Sequence, residues 1–327
     1  MKRLTECTKA DFLPLGRPVS RLFFGTATRS LIMGDYENSM ALLDYAAASG
    51  INAFDCARGY GNAEAVLGRW MQERHNRSEV VILTKCGNVS PDGTVKVNRE
   101  VIEKELAESL HTLQTDYIDI YLLHRDDPDT PLPEILETLN RAEKEGKIKT
   151  FGVSNWTHER IQEANECARK NGLEGFSVSS PNYGLARQVA DPWGGGCVTI
   201  SGPENAEARA WYASSQMPVI AYSSLGRGFL SGRFRSFDYD EARRILDPVA
   251  QKGYLSEDNM ERLKAIEAYA AEKGISVPQA AMQFVLSSPM NVFAVASMSA
   301  AKRIRENVEA AAVRMDRDEW NRLNGLN

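Results

Sequence analysis

Tyr117-Ile118-Asp119-Ile120-Tyr121-Leu122-Leu123-His124 is a short apolar run, rich in β-branched and aromatic residues, that stops at a histidine. A helical pattern over 132–146 follows it, and then a second β-rich run over 149–153. Strand, helix and strand in close succession read as one unit of a parallel sheet, because parallel neighbours need a crossover connection.

The same alternation extends in both directions. Strands are predicted over 20–25, 51–55 and 80–85 on one side, and over 175–180, 217–222 and 291–296 on the other. Helices are predicted over 37–49, 62–74, 98–113, 157–171, 203–214, 277–287 and 300–312, with additional ones over 258–273 and 317–325. Eight strands, each followed by a helix, fit an α/β fold of the (β/α)8 barrel type, one domain over 1–327. Extra residues fall in 1–19, 182–202 and 224–257. A doubly wound open sheet is the competing architecture, and it wants a glycine-rich turn after the first strand. The chain has Gly25-Thr26-Ala27-Thr28 there, with no GxGxxG.

Composition narrows the function. The 327 residues carry 39 Lys+Arg against 44 Asp+Glu, a net charge of −5. A general nucleic-acid binder needs a basic surface, so nucleic acid is not an expected partner. No apolar run reaches membrane-spanning length, and the first residues lack the apolar region of a signal peptide. The five cysteines are odd in number and contain no CxxC. Neither a disulfide framework nor a metal site is expected, and a reducing cytoplasm is the expected location. The oligomeric state is not legible.

In a barrel of this kind the active site lies at the C-terminal ends of the strands. Asp55, Lys85 and His124 each directly follow an apolar run, at three consecutive strand ends. Singly they read as a helix-capping aspartate, a solvated lysine and a core histidine. Jointly they converge on one pocket, since accidents would scatter over both ends. Tyr60 lies five residues after Asp55, in the loop before a predicted helix. This set suits proton transfer to a developing alkoxide. A tyrosine is a poor acid at neutral pH, and a neighbouring ammonium favours its phenolate and lowers its pKa. A carboxylate keeps the lysine charged and placed, and a histidine holds the substrate oxygen.

The segment Phe54-Asp55-Cys56-Ala57-Arg58-Gly59-Tyr60-Gly61-Asn62-Ala63-Glu64 resembles the signature of the aldo-keto reductase superfamily. So do Leu15-Gly16, Val19-Ser20, Gly25-Thr26, Thr84-Lys85, the 117–124 run, Gly152-Val153-Ser154-Asn155, the 221–228 segment and Arg303-Ile304-Arg305-Glu306-Asn307. The ordered set spans roughly residues 13 to 312 and is specific as a set. The resemblance implies a (β/α)8 barrel that reduces aldehydes and ketones with NADP(H), with NAD(H) the second candidate and no metal. It places the catalytic tetrad on Asp55, Tyr60, Lys85 and His124. It assigns Ser154 and Asn155 to the nicotinamide carboxamide, and Tyr222 to the face of the nicotinamide ring. Leu225, Arg227 and Gly228 match the loop crossing the pyrophosphate, made permissive by Gly226, Gly228 and Gly232. Arg303 matches the 2′-phosphate contact, with Lys302 as helper, and Glu306 and Asn307 match the adenine contacts. Ser299 reads as the N-cap of that helix.

Three departures stand out. Ser180 stands where the family usually has Gln on the carboxamide. Ser297 stands where it has a Lys, which weakens the case for the 2′-phosphate. The long C-terminal loop that covers many pockets of the family is expected to be absent. Arg125, Asp126 and Asp127 are expected on the pocket rim, and the 182–202 segment, with Tyr183, Arg187, Trp193 and three glycines, is expected to fold over the mouth. Arg125 and Trp193 are the candidate substrate contacts, suited to a hydroxylated, sugar-like carbonyl. Cys56 and Cys86 should point outward into the helix layer, and His75, His111 and His158 should lie at the surface. Two other readings compete. One is a Schiff-base lyase built on Lys85, which Asp55 opposes by keeping the amine charged. The other is a nucleotide-binding sensor subunit with little turnover.

Overall fold

The computed structural model describes residues 6–325. An antiparallel hairpin, β1 (Lys9–Phe12) and β2 (Arg17–Ser20), comes first. Eight strands then alternate with helices: β3 (Leu22–Gly25), β4 (Ala53–Asp55), β5 (Val81–Cys86), β6 (Ile118–Leu123), β7 (Ile148–Ser154), β8 (Val178–Ser180), β9 (Val219–Ala221) and β10 (Val292–Ala296). All eight pair in parallel and in sequence, and β10 pairs back onto β3, so the sheet closes into a (β/α)8 TIM barrel. The expected fold class is therefore correct, and the open-sheet alternative fails on that last pairing.

The period of two along each strand sorts side chains between two cores. Phe23, Ala53, Val81, Leu83, Ile120, Leu122, Val178, Ile220 and Phe293 fill the barrel interior. Their neighbours Phe24, Phe54, Ile82, Tyr121 and Phe151 face the helix layer. The hairpin closes the N-terminal end, with Phe12 in the interior core and its ring edge-on to Phe293 at 5.1 Å. Cys56 and Cys86 are buried in the outer core, as the alternation predicts. The same parity, carried to the C-terminal ends, turns Asp55, Lys85, His124, Ser154, Tyr222 and Ser297 inward.

The predicted helices appear within three residues of their expected ends. Local corrections fall in the connections. The hairpin lies inside the segment read as surplus. The 224–257 segment contains two short helices, Tyr239–Ile245 and Pro248–Tyr254, each too short to show a clear 3.6-residue period. Ser299 is not a cap: the helix Ala301–Ala311 has Ala300 at its N-cap and no side-chain cap bond. His158 is buried rather than exposed, with its ring 5.9 Å from that of Trp211. Among the described residues, no helix is long and apolar enough to cross a membrane.

Gly152 marks the tightest strand contact. A Cβ there would lie 2.0 Å from the Val178 carbonyl oxygen of the neighbouring strand. Backbone in a closed barrel cannot move aside cheaply, so Gly152→Ala should destabilise the protein by about 3 kcal/mol, the upper end for overpacking. Urea unfolding checks this, and an unchanged midpoint would contradict the close β7–β8 approach.

Candidate active site

Asp55 ends β4, Lys85 is the penultimate residue of β5, and His124 follows β6 directly. Lys85 Nζ donates to Asp55 Oδ1 at 2.6 Å and to the Cys56 carbonyl at 2.8 Å, and both side chains are buried. Tyr60 sits in the turn before the helix Ala63–Arg74, where its N–H donates to the Ala57 carbonyl. Its ring centroid lies 5.1 Å from Lys85 Nζ and 5.9 Å from the His124 ring, edge-on. His124 Nδ1 is buried without a hydrogen-bond partner. These four residues line one end of a cleft of about 760 Å³.

Electrostatics set their resting states. Burial disfavours the ammonium of Lys85, but Asp55 holds it charged, and the net direction is upward. Burial raises the Asp55 carboxyl against the pull of that ammonium. Burial also raises the Tyr60 hydroxyl, and Lys85 offsets this only in part. That corrects the expectation of a lowered tyrosine pKa: here the ammonium restrains a rise. His124 is driven well below its ordinary value by burial and by the charges of Lys85 and Arg125, so its imidazole is neutral near pH 7.

Asn155, held in the left-handed region at φ 59°, ties the far wall together. Its Nδ2 donates to the His124 carbonyl at 3.0 Å and to Ser154 Oγ at 3.1 Å. Its Oδ1 accepts from the Tyr222 hydroxyl at 2.7 Å and from the Val198 N–H at 3.1 Å. Ser154, Asn155, Tyr222, Leu225, Arg227, Gly228, Gly25, Ser297, Arg303, Glu306 and Asn307 all line the same cleft as the four-residue cluster. Ser180, Thr26, Ser299 and the helper Lys302 do not. Ser180 is buried, with its hydroxyl donating to the Ile220 carbonyl at 2.7 Å, below the cleft floor. Thr26 is likewise buried, with Oγ1 donating to the Asp55 carbonyl. Ser299 lies on a separate surface groove with Arg29 and Met33.

The rim also differs from expectation. Arg125 and Trp193 line the cleft. Asp127 instead accepts from Thr130 Oγ1 and the Val97 N–H, and Asp126 faces Arg160 at 3.5 Å. Tyr183 is buried against Phe284, and Arg187 pairs with Glu204. The loop reaches the mouth through Trp193, whose ring is 6.0 Å from Tyr222 and 5.8 Å from the Arg227 guanidinium. Sequence reasoning missed Asn88, Arg233 and Gln279, which also line the cleft. Arg233 carried a signal, one residue beyond Gly232 in the same glycine-rich loop. Gln279 carried none, because its side chain reads as half of a capping box with Ser276.

The sequence profile of the Aldo/keto reductase family matches residues 21–327. The chain belongs to the aldo/keto reductase family. Among its relatives is the aldo-keto reductase yakc (NADP+) of Schizosaccharomyces pombe, 27% identical over 85% of this chain and 79% of that one. A probable voltage-gated potassium channel subunit beta of Oryza sativa is 27% identical over 91% and 89%. A solved structure of the thermostable aldo-keto reductase Tm1743 with the inhibitor epalrestat superposes with a TM-score of 0.74, at 22% identity, over 98% of this chain and all of that one.

The cleft of this aldo/keto reductase suits an anionic dinucleotide. Arg233 and Arg303 have no acidic partner among the described residues, and a Cβ on Gly228 would lie 3.0 Å from Arg233 Nη2. Guanidinium groups without an acidic partner suit phosphate recognition; Arg227, in the glycine turn itself, pairs with Asp247 at 3.3 Å. The tetrad side makes a prediction about pH. The unfolded chain protonates His124 near 6.5, whereas the folded site resists it. Stability from this residue is therefore present above about pH 6.5 and lost as pH falls, by up to about 2 kcal/mol at pH 5. In His124→Gln the urea midpoint should depend less steeply on pH over that range, and an unchanged slope would contradict a neutral, buried imidazole.

Proposed function

We propose that this chain, read as a single barrel domain, is an NADP(H)-dependent reductase of a small polar aldehyde or ketone, with Tyr60 as the general acid. The observation that carries this is the meeting of Tyr60, the Asp55–Lys85 pair and His124 on one cleft with Arg233 and Arg303, which have no acidic partner among the described residues. When bound, NADPH supplies a hydride to the carbonyl carbon. Tyr60 donates its hydroxyl proton to the carbonyl oxygen as negative charge develops there. Lys85 stabilises the phenolate that remains, and Asp55 holds Lys85 in place and charged. The neutral His124 orients the carbonyl by a hydrogen bond without competing for the proton. The resulting phenolate is reprotonated from solvent, and the product leaves as the alcohol.

Arg303 and Arg233 would hold the cofactor's phosphates, Arg227 and the Gly226–Gly228 turn its pyrophosphate, and Glu306 and Asn307 its adenine. Tyr222 would support the nicotinamide ring, and Asn155, with Ser154, would hold its carboxamide. Lys302 pairs with Glu306 at 3.7 Å rather than standing free as a helper. Preference for NADP over NAD rests on Arg303 alone, since Ser297 brings no cation; the NADP+ in the name of the yeast relative agrees with it. The likeness to a channel beta subunit favours a second reading, a nucleotide-binding regulatory subunit with slow turnover. The substrate is a small polar carbonyl compound, and no nucleic acid or membrane partner is proposed.

Two measurements test the reading. Tyr60→Phe should lower kcat by 10²- to 10⁴-fold, the range for a positioned acid, while NADPH affinity stays near wild type. Near wild-type kcat would overturn the role of Tyr60, and negligible turnover in the wild type over a broad carbonyl panel would favour the regulatory reading. Arg303→Ala should weaken NADPH binding about 10- to 100-fold and leave NADH nearly unaffected. Equal losses for both cofactors would remove the 2′-phosphate role.

A further inference from the structure

Arg125 is an anomaly in the cleft. It is only 5% exposed, and its Nε is fully buried with no hydrogen-bond partner. A buried guanidinium is normally paired, because taking its charge out of water is costly. Among the described residues no acid pairs with it. The nearby acids are engaged elsewhere: Asp55 with Lys85, Asp126 with Arg160, and Asp127 with Thr130 and Lys96. The Cys197 thiol, which feels the Arg125 charge, is pushed up to about 11 by burial and is neutral.

The side chain is also held. The Asp191 carboxylate accepts the N–H groups of Trp193, Gly194, Gly196 and Cys197 at 2.8 to 3.1 Å, which fixes the three-glycine turn. Gly195, at φ 73°, is seated so closely that a Cβ would lie 3.5 Å from Arg125 Nε and 2.1 Å from Val89. The turn thus packs beside the buried Nε, and Arg125 itself lines the cleft. Arg125 follows His124 at the end of β6, and β6 stands four strands from β10 around the barrel. It lies across the mouth from Arg303, which follows β10, so the cofactor's phosphates do not account for it.

We propose that Arg125 is a carboxylate-recognition residue, and that the substrate is an aldehyde or ketone that also bears a carboxylate. The guanidinium would hold the carboxylate while the carbonyl meets Tyr60 and His124; this deepens, and rests on, the reductase reading. A planar fork of N–H donors matches a carboxylate. One unpaired cation matches a monoanion better than a phosphate dianion. A donor-only group without the two aspartates on the rim also suits an anion better than a polyol.

The test uses the full chain with NADPH and two aldehydes of matched shape, 4-carboxybenzaldehyde and methyl 4-formylbenzoate. Wild type should favour the acid in kcat/KM by at least about tenfold, the usual worth of a charge-assisted contact. In Arg125→Met that ratio should fall towards one, and Arg125→Lys should restore part of it. In parallel, calorimetry with the unreactive terephthalate should show at least tenfold weaker binding to Arg125→Met. A wild-type preference for the ester, or equal losses on both aldehydes with unchanged terephthalate binding, would overturn the subsite and leave the reductase reading intact. Arg125-dependent terephthalate binding without turnover of any aldehyde would support the subsite and count against the reductase reading. A larger preference for glyceraldehyde 3-phosphate over glyceraldehyde than for acid over ester would overturn the assignment to a carboxylate.

Discussion

The ion pair between Asp55 and Lys85 is the constraint on which the proposed catalytic end depends. Two opposite charges lie 2.6 Å apart on adjacent strands, almost out of contact with water. Such a pair gives little net stability, because desolvation offsets the attraction. Its value lies in position. Adjacent parallel strands bring the two ends into register, with Asp55 opposite Leu83 and Lys85 two residues on, pointing to the same face. The Cys56 carbonyl takes a second ammonium hydrogen, so Lys85 has one direction left, towards the ring of Tyr60. The pair therefore fixes a cation beside a phenol that burial alone would make a still weaker acid.

The rest of the cleft distributes charge in a corresponding way. Burial, and then the charges of Lys85 and Arg125, discourage protonation of the His124 imidazole. Arg125, Arg233 and Arg303 line the cleft without an acidic partner among the described residues, while the acids on or near it, Asp55, Glu306 and Asp247, each pair with another cation. Asp191 and Asp127 each close a turn rather than facing the cleft. That pattern supports the proposed reading of a site that receives anions and develops negative charge on oxygen, in a chain whose overall charge is −5.

The barrel was legible because it is written in two periods. Strands such as 118–123 and helices such as 132–144 differ in period, and their alternation sets the topology. The charged strand ends were legible because a buried parallel strand has little room for a charge, so an ionisable residue directly after an apolar run marks where the strand meets the cleft. Connections were not legible. The Lys9–Ser20 hairpin is two strands of four residues, too short to stand out, although Phe12 plugs the barrel. Ser299 looked like a cap by type, but the backbone starts the helix one residue later. Ser180 and Thr26 sit at the correct strand ends, yet each spends its hydroxyl on a neighbouring carbonyl, a choice that pattern cannot predict. Asp126 and Asp127 follow His124 just as Arg125 does, and only three-dimensional packing decides that Arg125 alone reaches the cleft.

The central claim is that Lys85 and Tyr60 act as one unit. A double-mutant cycle on the single-turnover rate of NADPH oxidation, over wild type, Lys85→Met, Tyr60→Phe and the double variant, tests it most directly. If Lys85 works only through the phenol, the losses are non-additive, and Tyr60→Phe costs almost nothing further once Lys85 is gone. Losses that add in free energy would contradict the account, because each residue would then be contributing to the rate on its own.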